Sequence, residues 1–208
     1  MLDFLFERVQ RSRRLERVVL ATTDRVEDNR LAEHATGLGL DVFRGPSDDV
    51  LGRLVAAARF FNAEPLVLLL GDNPLVDGEL IDDVLGLFEV GNYDYVANVT
   101  REYSYAPEGL RRFAVGIRVQ VMSAEAIARC DRQAATPYNR EHATTYIVEN
   151  PQCFQIGYVE AAGKWAGLNR ADGFLAVNTR EDYDKLSAIV RWTAAIDPVC
   201  GLRSLVWQ

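Results

Sequence analysis

Pro65-Leu66-Val67-Leu68-Leu69-Leu70 runs straight into Gly71-Asp72-Asn73-Pro74-Leu75, and this junction decides the fold. An unbroken apolar run of this length describes a strand buried on both faces, as in a parallel sheet with helices above and below. Gly-Asp-Asn-Pro is turn chemistry, so the chain bends just past the strand's carboxyl end. Open α/β sheets bind their ligands along that edge. A carboxylate delivered there with no Lys or Arg beside it suits a hard divalent cation shared with phosphates. It also suits a cap on the helix that follows. The local residues leave both roles open to Asp72.

Outward from this strand, helical and strand periodicities alternate. Leu2, Leu5, Phe6 and Val9 recur at helical spacing. The pattern predicts strands over 17–21, 41–43 and 93–98, and helices over 29–37, 47–61 and 78–90. Ser47 is the expected N-cap of the second of these helices, with Asp48 and Asp49 in its first turn. Such alternation predicts a mostly parallel sheet. Beyond Thr100 the character changes. Residues 101–112 read as an irregular loop and 113–121 as one strand. Helices are expected from Ala124 and from Tyr138, the latter stopped by Asn150-Pro151. Strands at 154–159 and 174–177 and a helix over 179–195 close the chain.

The chain has 208 residues, 49% of them hydrophobic and 25% charged, ordinary values for a globular protein. That length suffices to bury roughly seventy per cent of the unfolded surface. A formal net charge of −7 argues against a general nucleic-acid binder, which needs a basic face. No apolar run approaches the length of a membrane span, and charges interrupt Met1–Arg8 where a signal peptide would be apolar. Cys130, Cys153 and Cys200 lack metal spacing and read as reduced packing residues of a cytoplasmic protein.

Four segments carry a family resemblance: Val18-Val19-Leu20-Ala21-Thr22-Thr23, the stretch from Val42 through Arg44-Gly45-Pro46-Ser47 to Arg53, Gly71-Asp72-Asn73-Pro74-Leu75-Val76-Asp77, and Arg140-Glu141-His142-Ala143-Thr144. In this order and spacing the chain resembles the cytidylyltransferases that make CMP-sugars: the spore-coat polysaccharide branch, beside the acylneuraminate and Kdo synthetases. The resemblance implies an α/β, Rossmann-like nucleotidyltransferase fold with a mostly parallel sheet and an irregular antiparallel second-half extension. It implies one domain over 1–208, with a nucleotide-binding half at 1–98 and a sugar-binding and dimerisation half at 99–208. It further implies CTP and a small acidic or amino sugar as substrates, Mg²⁺ as cofactor, and a homodimer serving surface polysaccharide or glycoconjugate synthesis. Asp72 would be the catalytic metal ligand with Asn178 as its partner. Arg44, Asn98, Arg140, Glu141 and His142 would be substrate-side residues.

Each of these has a plainer reading. Arg44 also fits a surface turn, Asn98 a strand-end turn, and His142 a hydrogen-bonded helix residue. Arg53 is expected to pair with Asp49 at i, i+4, and His34 is structural. Trp165, Trp192 and Trp207 read as packing residues. No Gly-x-Ser-x-Gly or Cys–His arrangement supports nucleophilic hydrolysis, and Asp72-Asn73-Pro74 is not the Asp-x-Asp of a metal-dependent glycosyltransferase.

The sequence also departs from the family pattern. Relatives carry a first strand and a Gly/Ser/Arg/Lys loop for the triphosphate, whereas 1–208 opens on the helix that would follow. Without that strand, those at 17–21 and 65–70 are expected to flank a gap of unpaired backbone groups. Arg118 and Gln120 stand where relatives read Asp and Glu, and Asn178 stands for Asp, bringing a carbonyl oxygen but no charge. These departures predict impaired catalysis, with a non-catalytic sugar- or nucleotide-binding subunit as the rival.

Overall fold

The computed structural model describes residues 1–102, 107–170, 172–196 and 202, with the side chains of 192–196 excepted. The Trp192 side chain, Cys200 and Trp207 therefore lie outside the described residues. The first half alternates as its periodicity demands: α1 (Leu2–Val9), β1 (Val19–Thr23), α2 (Asn29–Gly37), β2 (Asp41–Gly45), α3 (Val50–Phe61), β3 (Leu66–Leu69), α4 (Gly78–Val90) and β4 (Tyr95–Asn98). The second half adds β5 (Val119–Met122), α5 (Ala124–Gln133), α6 (Pro137–Glu141), α7 (Thr145–Glu149), β6 (Ile156–Val159) and α8 (Arg180–Ile196).

β1 and β2 pair in parallel. The other four strands lie in the order β3-β5-β4-β6. β4 and β6 are parallel, and β5 runs antiparallel to both β3 and β4. The architecture is α/β, with one reversed strand inserted from the second half.

Period-two alternation along β3 sends its side chains to two hydrophobic clusters, one on each face. Val67 and Leu69 pack with α1 and α4, through Leu5, Val9, Leu80, Ile81 and Val84. Leu66 and Leu68 pack with α3 and α5, through Leu51, Leu54, Val55 and Ile127. The β1 region borders the same two layers, with Val18, just ahead of the strand, packing on the first cluster and Ala21 on the second. β1 and β3 thus border the same two layers, yet among the described residues β1 is bonded only to β2 and β3 only to β5. Strand pairing is interrupted there, with β1-β2 as one sheet and β3-β5-β4-β6 as another. Apolar β3 is accordingly only half-buried along its length.

One buried ion pair and the hydrogen bonds around it fix the frame around the turn after β3. The guanidinium of Arg8, 1% exposed, donates to the carbonyls of Leu75 and Val76 and to Asp77 Oδ2. Asp77 also caps α4 by accepting from Glu79 N–H at 2.9 Å, and its Oδ2 accepts from Leu202 N–H at 3.1 Å. The cap of α4 is therefore Asp77, which frees Asp72 from that role.

The structure corrects several expected boundaries. Residues 113–121 do not form one strand. Gly116 sits at φ +95°, and a Cβ there would lie 2.1 Å from the Ala176 nitrogen. The chain turns at this glycine, Phe113 and Val115 make only isolated bridges to Asn169 and Phe174, and the sheet strand begins at Val119. Residues 174–177 contribute such a bridge rather than a strand. The helix expected from Tyr138 breaks at His142, whose ψ of 75° ends α6 before α7 begins. α3 is capped by Asp49, not Ser47, through Gly52 N–H. Arg53 turns away from Asp49 and donates to the Pro46 carbonyl. Trp165 is a packing residue, 3% exposed, with its indole N–H on Asp83.

Candidate active site

The site is built at the carboxyl end of β3, where turn chemistry leaves the sheet. Asn73 N–H donates to the Leu70 carbonyl, and Val76 N–H closes on the Asn73 carbonyl. Pro74 supplies the fixed φ that such a turn favours. Asp72 is half-buried, and its Oδ1 accepts from Asn73 Nδ2 at 2.8 Å. The Asp72 carbonyl accepts from Val177 N–H at 2.8 Å. That bond fixes the segment whose next residue is exposed Asn178. Asn178 begins the approach to α8, whose start is a reciprocal cap: Asp182 accepts from Asn178 N–H and Thr179 N–H, and Thr179 Oγ1 accepts from Asp182 N–H.

Behind Asp72 lies a chain of buried polar groups. Arg118 N–H donates to Asn73 Oδ1 at 3.1 Å, and Arg118 Nη2 donates to the Tyr95 hydroxyl at 3.2 Å. Tyr95 donates in turn to Gln120 Oε1 at 2.9 Å, which also accepts from Thr144 Oγ1 at 2.7 Å. Register explains the assembly: Leu68, Gln120, Ala97 and Tyr158 lie abreast across β3, β5, β4 and β6, so their side chains share one face. Burial pushes the Tyr158 phenol up, and it stays protonated at neutral pH. Burial likewise raises the Glu102 carboxyl; nearby Arg118 opposes the shift and Asp72 adds to it, and Oε2 of Glu102 is buried with no hydrogen-bond partner. Glu102 thus belongs to the same electrostatic neighbourhood as Asp72 and Arg118.

The substrate-side candidates fall in different places. Arg44 closes the loop after β1, donating to the Thr23 and Arg25 carbonyls and to Asn29 Oδ1. Asn98, 2% exposed, clamps the entry to β5 by accepting from Val119 N–H and donating to the Ile117 carbonyl. Arg140 grips Asp49 through two nitrogens and Asp131 through a third contact, and the Arg140 hydrogen bond holds the Asp49 carboxyl below its usual range. His142 packs against Tyr138 in a tilted arrangement with ring centroids 4.5 Å apart, and Glu141 is exposed. Of the 140–144 segment, Thr144 is the residue that reaches the Asp72 chain.

Sequence reading missed Asn73, Tyr95, Glu102, Thr144 and Tyr158. Gln120 was visible as a polar residue inside an apolar strand, and Arg118 two positions before it marks the same face. Nothing local ties either one to Tyr95 or Thr144, since those contacts are long-range.

Among the described residues no group of three or more His, Cys, Asp or Glu could hold a metal ion. The donor set at Asp72 is one carboxylate, with a neutral amide oxygen on Asn178 of the segment bonded to it. Such a set fits Mg²⁺, which keeps water and shares its shell with phosphates, and does not form an all-protein cage.

The fold and this edge define an α/β protein with a polar turn at the carboxyl end of β3. The chain belongs to the cytidylyltransferase family, whose model matches residues 1–186. It is 35% identical over 183 residues to an uncharacterised protein of Methanocaldococcus jannaschii, covering 88% of this chain and 69% of the relative. It is 32% identical over 197 residues to the spore coat polysaccharide biosynthesis protein SpsF of Bacillus subtilis, covering 91% and 75%. Among solved structures, a cytidylyltransferase from Leptospira borgpetersenii superposes with a TM-score of 0.81 at 27% identity, covering 92% of this chain and 75% of that one. A CMP:2-keto-3-deoxy-manno-octonic acid synthetase complexed with CTP gives a TM-score of 0.62 at 12% identity, covering 91% and 87%, and shares the fold. No helix among the described residues is long and apolar enough to cross a membrane.

Proposed function

We propose that the protein is a CTP-dependent transferase that activates a small acidic or amino sugar as its CMP derivative, feeding surface polysaccharide or glycoconjugate synthesis. The observation that supports this most is the placement of Asp72. It stands at the end of β3, its helix-capping role is taken by Asp77, and a backbone bond joins it to the segment carrying Asn178. In the reaction, a sugar hydroxyl attacks the α-phosphorus of CTP and pyrophosphate leaves. Asp72, with the Asn178 carbonyl oxygen as a neutral partner, would hold Mg²⁺. When bound, Mg²⁺ neutralises charge on the phosphates. The chain's own contribution is to keep the Asp72 carboxylate oriented through Asn73, which is itself held by the backbone of Arg118. A homodimer in the cytoplasm is part of this reading.

Turnover is expected to be slow, because Asn178 brings a neutral oxygen and leaves Asp72 as the single charged ligand for a divalent cation. One observation favours a second reading, a non-catalytic nucleotide- or sugar-binding relative. The side chains of Arg118 and Gln120 are committed to internal hydrogen bonds with Tyr95 and Thr144. Calorimetric titration of CTP, UTP, ATP and GTP with Mg²⁺, followed by pyrophosphate release over a panel of acidic and amino sugars, separates the two. CTP preference with slow, sugar-dependent release is expected. Absence of CTP preference would overturn the proposal, and CTP binding with no release for any sugar would leave the second reading in place.

A further inference from the structure

Asn73 is fully buried, and its side-chain amide spans two partners that the fold fixes independently. Its Oδ1 faces the backbone N–H of Arg118, which can only donate. The amide orientation is thereby settled, and Nδ2 must point the other way, to Asp72 Oδ1 at 2.8 Å. The backbone of Asn73 is pinned as well, by Leu70 on one side and Val76 on the other. Arg118 is held by Tyr95 through Nη2, and Tyr95 is held by Gln120. A relay of buried groups thus runs from the centre of the sheet to one oxygen of Asp72 and ends there.

We infer that Asn73 is a positioning residue: it occupies Oδ1 of Asp72, fixes the carboxylate plane, and leaves Oδ2 as the oxygen available to a divalent cation. The inference rests on the reading of Asp72 as a metal ligand. A carboxylate free to rotate would have to be ordered at each binding event, whereas one held by a buried donor is ordered beforehand. Groups that orient a ligating side chain in this way are worth roughly 10–100-fold in metal affinity. An amide suits the task because it presents an acceptor and a donor in one rigid plane. Ser or Ala at position 73 cannot reach both partners.

The test uses the full chain, with Mn²⁺ as the cation and CTP as the nucleotide probe. CTP affinity is measured by calorimetry with Mn²⁺ and with EDTA, for the parent, Asn73→Ala, Asn73→Ser and Asp72→Asn, alongside thermal unfolding. Asn73→Ser keeps one polar group in the buried turn and guards against Asn73→Ala failing to fold. The expected result is at least a tenfold loss of the Mn²⁺-dependent gain in CTP affinity in both Asn73 variants, with binding in EDTA unchanged and unfolding still cooperative. If Asp72→Asn loses the gain while the Asn73 variants keep it, the positioning role is overturned and the metal reading stands. If Asp72→Asn keeps the gain, the metal reading itself fails and this inference falls with it. Equal loss of binding in EDTA would mean that the turn had collapsed, which also overturns the assignment.

Discussion

Val177 donates its amide to the carbonyl of Asp72 across 2.8 Å, and so joins two segments more than a hundred residues apart at the carboxyl end of β3. The bond ties Asp72 to the segment that carries Asn178, although no regular strand contains either residue. It also defines what each of them is expected to do.

If Asp72 is a metal ligand, Asp72→Asn should abolish Mg²⁺-dependent nucleotide binding while moving the melting temperature by no more than about 3 °C. Asn178→Asp should strengthen binding by adding a charge to an existing oxygen donor. Calorimetry on both variants is the check. Unchanged affinity in Asp72→Asn would return the residue to a purely structural role.

Gly116 offers a sharper structural test. Its φ of +95° and the 2.1 Å approach of a hypothetical Cβ to the Ala176 nitrogen, with the Leu175 carbonyl oxygen at 2.7 Å, leave no room for a side chain. Gly116→Ala should therefore cost about 3 kcal/mol or more, combining strain at positive φ with overpacking against backbone. Because the neighbouring Val115–Leu175 bond lies on the path to Val177, nucleotide binding should weaken together with stability. Urea unfolding that shows a change under about 1 kcal/mol would contradict this account of the turn.

Glu102 supplies a pH dependence. Burial raises its folded carboxyl, so the fold binds that proton more tightly than the unfolded chain does. Its contribution to stability is present below the ordinary glutamate range and is lost as pH rises through the raised value. Glu102→Gln keeps the uncharged state at every pH. The variant should match the parent near pH 4 and exceed it increasingly toward neutrality. Melting curves over pH 4 to 8 decide the matter; parallel profiles would show that Glu102 ionises without penalty.

The interrupted sheet makes a prediction about exchange. Amides of Val19–Thr23 and Leu66–Leu69 that face neither β2 nor β5 should exchange with solvent at loop-like rates, although they belong to strands. Uniform protection along both strands would show that these edges are paired after all.

How far the sequence could be read follows from the range of the interactions involved. α2 and α4 match their expected limits because periodicity, a glycine at the end and length are all local. The strand after Pro65 and the turn at Asp72 were legible for the same reason. The failures cluster where distant backbone decides. Gly116 reads as an ordinary strand residue until Ala176 is placed beside it. The break at His142 follows from Thr145 hydroxyl and amide bonds to the His142 carbonyl, which no hydrophobic pattern reports. The resemblance puts Arg140 on the substrate side, and no local pattern reports its ion pair with Asp49, 91 residues away. Asn73 was hidden for a different reason. In a turn its amide looks like turn chemistry, and only the placement of Arg118 makes it a bridge.

Asp77 carries a consequence for the order of events during folding. One carboxylate receives Arg8 from the first helix, the amide of Glu79 from its own helix, and the amide of Leu202 from near the chain's end. The first and last of these span 69 and 125 residues, so they close only after most of the polypeptide is already ordered. Contacts of such separation form late, and interactions absent from the transition state act mainly on the rate of unfolding. Asp77 should accordingly behave as a latch. Its removal would let the native protein open faster while leaving the speed of its formation nearly as it was.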